Sequence, residues 1–69
     1  MKKYKFGEVL KELRIENSIG QEKLAKAIGV THSIISLWEN GLREPTLSNL
    51  IALADFFNVT LDFLAGREI

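Results

Sequence analysis

No cysteine occurs in this chain of 69 residues, which excludes a disulfide framework and any thiolate metal site. A reducing interior such as cytoplasm is the expected setting. Histidine occurs once, and neither a paired-carboxylate cleft signature nor a phosphate-cradling glycine loop is visible, so no enzyme, metal or cofactor is expected. Long apolar runs are also missing. The longest, around Leu50 to Phe57, is broken by Asp55 and is too short to span a bilayer. Lys2, Lys3 and Lys5 look like a charged leader, but polar helix follows them rather than an apolar stretch, so no signal peptide is expected. Neither sign of charge is in excess. The zero net charge argues against a strongly basic nucleic-acid binder.

The distribution of that charge says more than its sum. Residues 1–30 hold seven Lys/Arg and four Glu, and residues 31–69 hold two Arg and five Asp/Glu, so the halves carry plus three and minus three. A polarised domain can meet a polyanion with one end while staying neutral, although solvated surface charge reads the same way. The length supports one domain spanning residues 1–69, whose small core must be well packed or helped by dimerisation.

Apolar spacing predicts five short helices and no strand. Phe6, Val9, Leu10 and Leu13 repeat at i, i+3, i+4 and i+7, one stripe of an amphipathic helix, which Asn17, Ser18 and Gly20 interrupt. The stripe resumes from Gln21 with Leu24, Ala25 and Ile28 and stops at Gly29, a left-handed cap where a side chain would be strained. Thr31 reads as the next N-cap, its hydroxyl able to accept from free backbone N–H groups. The helix that follows buries Ile35 and Trp38, with Ile34 at the margin, and ends at Asn40-Gly41. Pro45, the only proline, holds Glu44 out of helical geometry. Thr46 then caps a fourth helix carrying Leu47, Leu50, Leu53, Ala54 and Phe57. Asn58 ends it, Val59 fills the core, and Thr60 caps a last turn with Leu61 and Leu64.

Residues 21–40 are the informative unit: a helix of about eight residues, a tight turn at Gly29-Val30, and a second helix of similar length. Ala25 must be small because the second helix crosses close over it, and Val30, Ile35 and Trp38 hold that helix by burial. Those anchors leave Thr31, His32, Ser33, Ser36 and Leu37 on the outward face. The segment Gly20-Gln21-Glu22-Lys23-Leu24-Ala25-Lys26-Ala27-Ile28-Gly29-Val30-Thr31, continuing through Ser36-Leu37-Trp38-Glu39-Asn40-Gly41, resembles the lambda-repressor and Cro-like helix-turn-helix family. That family includes the bacterial xenobiotic-response-element-type regulators. With Pro45 and Leu53-Ala54 to Leu64, the resemblance covers about residues 6 to 65. It implies an all-α, five-helix lambda-repressor-like DNA-binding domain that places helix 31–40 in the major groove.

Carried over residue by residue, the resemblance assigns Gln21, Lys26, Asn40 and Arg43 to DNA phosphates. Gln21 stands at a helix N-terminus, where free N–H groups and the dipole attract anions, and its amide is also expected to reach His32. Thr31, His32, Ser33, Ser36 and Leu37 are the candidates for base edges. Leu37 departs from the polar or basic residue usual in the family; it suits thymine methyl groups, or equally a domain diverted from DNA. Arg14 and Glu39 match a family ion pair that ties the recognition helix to the scaffold.

Ile51, Phe56, Leu61 and Phe63 cannot all face inward, and the resemblance makes Leu61 and Phe63 a candidate homodimer patch. A two-fold dimer sets recognition helices about 34 Å apart, matching a pseudo-palindromic double-stranded operator. The expected function is a sequence-specific DNA-binding transcriptional regulator acting as a repressor, of bacterial or phage origin. The alternative is a protein-interaction module, antitoxin-like or an adaptor, on the same fold. No small-molecule site is evident.

Overall fold

The computed structural model describes residues 5–66, so Lys2 and Lys3 lie outside the described residues. Five helices follow in order, α1 Phe6–Glu16, α2 Gln21–Ile28, α3 His32–Glu39, α4 Leu47–Phe57 and α5 Leu61–Ala65, and no strand occurs among the described residues. The α1 stripe buries Phe6, Leu10 and Leu13. Asn17 closes that helix, its Nδ2 donating to the Leu13 carbonyl at 2.7 Å, and Ser18 takes the left-handed turn at φ 54°. Both Gly29 and Val30 donate their backbone N–H to the Ala25 carbonyl at 2.9 Å, with Gly29 at φ 81°. That paired closure of a left-handed cap reverses the chain between α2 and α3.

Local capping differs among three threonines in nearly the same extended backbone. Thr46 accepts from the Asn49 N–H at 3.2 Å, and Thr60 accepts from the Phe63 N–H at 3.0 Å. Thr31 occupies the N-cap position of α3, but its hydroxyl makes no capping bond. The Ile34 N–H is taken instead by the Thr31 backbone carbonyl at 3.2 Å, so the expected side-chain cap is corrected to a backbone one.

The core consists of Phe6, Leu10, Leu13, Leu24, Ala25, Ile35, Trp38, Leu53, Ala54 and Leu64, with Ile34, Leu50, Phe57 and Val59 partly buried against it. Leu47, the first residue of α4, lies beyond the part of the helix that the core covers and is 67% exposed. Trp38 is 2% exposed and meets Phe6 edge to face with ring centroids 6.0 Å apart. Such a pair adds about 0.5–1.5 kcal/mol beyond its buried area. The Trp38 indole N–H finds no acceptor among the described residues, so its apolar surface drives the burial.

α3 packs on both α2 and α1, while α5 packs on α1 and α4. The α1–α3 crossing depends on Gly7. A Cβ there would lie 2.5 Å from the Trp38 carbonyl oxygen and 2.8 Å from that of Glu39. Glycine lets the first turn of α1 lie directly on the last turn of α3.

Candidate nucleic-acid interface

The α2–turn–α3 unit is fixed to α1 by one acid. Glu39 ends α3, and its side chain is 4% exposed. Arg14 reaches it with a two-pronged fork: Nε donates to Oε2 at 2.6 Å and Nη2 donates to Oε1 at 3.0 Å. A third guanidinium contact, Nη1 to the Ile19 carbonyl at 3.2 Å, draws in the α1–α2 loop. Bidentate pairing of this kind fixes geometry as well as adding energy. The Glu39 hydrogen bond holds Arg14 above its ordinary pKa, burial opposes it, and attraction to the carboxylate adds to it.

Gln21, at the first position of α2, is half-buried, and its Nε2 donates to Glu39 Oε1 at 3.0 Å. The bond expected from Gln21 to His32 is therefore corrected: the amide turns to the end of α3, not to its start. The carboxylate is the stronger attraction, being charged and shielded from water.

Thr31, His32 and Ser33 are exposed, forming the first turn of α3 with its cap. Ser36 and Leu37, expected on the outward face, are half-buried. Each sits one helical step, about 100°, from buried Ile35 or Trp38, which puts it at the border of the covered face. The free face of α3 is thus widest at its N-terminal end. Asn40 is exposed, and its Nδ2 lies 3.4 Å from Ser36 Oγ, a long contact on the same side of the helix end. Lys26 stands exposed in the last turn of α2, and Arg43 stands exposed in the α3–α4 loop. Leu61 and Phe63 are 40% and 56% exposed on α5, with Ile51 and Phe56 also open on α4. Leu61 borders an open groove of about 450 Å³ that Leu50, Pro45 and Arg43 also line.

No cluster of three or more potential metal ligands occurs among the described residues, and no described helix is long and apolar enough to cross a membrane. Sequence spacing gave no hint of Gly7 or of the Gln21–Glu39 bond. Both depend on where α1 and α2 meet the end of α3, 18 or more residues away in sequence.

Two short helices joined by a left-handed glycine turn, the second with an open polar first turn, define a helix-turn-helix unit. The chain belongs to the helix-turn-helix family, whose pattern it matches over residues 10–64. It is 38% identical over 65 residues to the HTH-type transcriptional activator BcrR of Enterococcus faecalis, covering 93% of this chain and 32% of that protein. Among solved structures it is similar to the P22 c2 repressor, determined in complex with synthetic operator 9T, at a TM-score of 0.85 and 33% identity. That match covers 91% of this chain and 96% of that one. The restriction-modification controller protein C.AhdI from Aeromonas hydrophila superposes at a TM-score of 0.80 with 35% identity, covering 87% of this chain and 91% of the other. The chain spans about half or less of the length of several curated relatives that it matches.

Proposed function

We propose that this chain is a sequence-specific transcriptional regulator that places α3 in the major groove of double-stranded DNA. The observation that carries the reading is the open first turn of α3, Thr31 to Ser33, projecting from a helix that Arg14 and Glu39 tie rigidly to the scaffold. A probe that presents polar groups in a fixed geometry is what base-edge recognition requires. His32 and Ser33 supply donors and acceptors to base edges, Thr31 and Ser36 flank them, and Leu37 offers its exposed part to thymine methyl groups. Lys26, Asn40 and Arg43 are the backbone contacts, with the N-terminus of α2 at Gln21 facing a further phosphate.

In this reading the protein binds a pseudo-palindromic operator as a homodimer through Leu61 and Phe63, works in the cytoplasm, and represses by occluding a promoter. That P22 c2 was solved with an operator, over nearly the whole of both chains, supports the DNA partner. No chemical step enters the mechanism. A protein-interaction module on the same fold is the second reading, favoured by the zero net charge and the half-buried Leu37.

Selection of bound duplexes from a random pool, then titration of the winner at several salt concentrations, separates the two. A regulator returns a defined sequence whose affinity falls steeply with salt, because phosphate contacts release counterions. A pool that stays random, or a flat salt response, sinks the regulator.

A further inference from the structure

We propose that Gln21 is a positioning residue for DNA contact, acting through Glu39 to lock the start of α2 against the end of α3; this rests on the DNA-binding reading above. Glu39 Oε1 accepts two bonds at 3.0 Å, one from Arg14 and one from Gln21, so a single carboxylate gathers α1, α2 and α3. Its 4% exposure keeps water from competing for those bonds. The N-cap of α2 is Gly20, which has no side chain with which to tie the helix start to anything. Gln21 supplies that tie from the next position.

The placement matters because both ends of this bond adjoin candidate contacts. The N-terminus of α2 carries the first-turn N–H groups, and Asn40 follows Glu39 directly and lies against Ser36. Docking on a duplex requires these two ends to meet the sugar–phosphate backbone at one fixed separation while the first turn of α3 lies between the strands. A free α2 start still binds DNA but loses register. Specific binding therefore suffers more than non-specific binding, which depends mainly on charge and tolerates many orientations.

The test uses the parent and Gln21→Met, which keeps side-chain length but has no donor, with Gln21→Ala as a second variant. Each is measured below its own melting transition, on the selected duplex, on random duplex, and on selected duplexes carrying single methylphosphonates. The expected result is a loss of about tenfold on the selected duplex and little on random DNA. The set of methylphosphonates that weaken binding stays the same as for the parent. In nuclear magnetic resonance spectra of the free protein, the Arg14 Nε–H signal shifts in both variants. Unchanged discrimination by Gln21→Met overturns the proposal. So does one methylphosphonate position that weakens the parent but no longer weakens the variant, since Gln21 is then a direct phosphate ligand. A parent that binds no duplex at all is a separate result: it removes the DNA-binding reading, and the positioning role with it.

Discussion

Replacing Gly7 with alanine puts the close approach of α1 to α3 under direct test. The new Cβ would stand 2.5 Å from the Trp38 carbonyl oxygen and 2.8 Å from the Glu39 carbonyl oxygen, where ordinary contact begins at 3.4 Å. The helices must therefore separate by up to 0.9 Å, the difference between 3.4 and 2.5 Å. Both obstacles are backbone, so no rotamer change relieves them. Overpacking of this kind costs about 1–3 kcal/mol, and the better helix propensity of alanine returns at most about 1 kcal/mol. The net is a destabilisation of up to about 2 kcal/mol, a fall in melting temperature of up to roughly 15 °C for a domain of this size. Far-UV circular dichroism melts of the parent, Gly7→Ala and Gly20→Ala make the comparison. A Cβ at Gly20 meets nothing within 4 Å, and φ there is −76°, so Gly20→Ala carries no steric cost and loses only the N-cap preference for glycine over alanine, up to about 1 kcal/mol. A Gly7→Ala domain that melts at or above the parent would refute the steric argument.

Further outcomes follow from the same contacts. Arg14→Met leaves the Glu39 carboxylate with the Gln21 amide but without its cation and costs about 3–5 kcal/mol by urea unfolding, a large share of the stability of a small domain. Because Arg14 is held above its ordinary pKa, its contribution is complete below that ordinary value and fades only as pH rises through the raised one; the parent–variant gap does not shrink between about pH 7 and pH 10. Thr46→Ala lowers stability by about 1 kcal/mol, whereas Thr31→Ala, losing no capping bond, lowers it measurably less. Arg43→Ala weakens operator and random DNA alike and reduces the slope of log affinity against log salt by about 0.9; an unchanged slope means that no phosphate contact was lost. Phe63→Glu leaves the melt of the monomer near that of the parent but abolishes dimer sedimentation; dimers that persist place the two-fold contact elsewhere.

Much of the fold could be read before any coordinates. The apolar stripe of α1 was legible as spacing, and the stop at Gly29 was legible as the one residue type that takes φ 81° without strain. The pairing of Arg14 with Glu39, 25 residues apart, was suggested by family resemblance alone, because no periodicity links such positions. Gln21 shows the limit of that reasoning. Its place at a helix start is a local fact, but which acceptor its amide chooses depends on a carboxylate delivered by another helix. Ser36 and Leu37 were assigned to an open face by their spacing from Ile35 and Trp38, yet both are half covered.

By itself, the order of residues determined the five helices, their ends, and most of the inward-facing set. Those features arise from contacts within about four positions along the chain: the Thr46 and Thr60 caps, the Asn58 turn, and side chains that recur once per helical turn. The tertiary arrangement alone decided that Gly7 must lack a side chain and that Gln21 binds Glu39. Each of these depends on how closely and at what point one helix crosses another, a distance that no local rule along the chain contains.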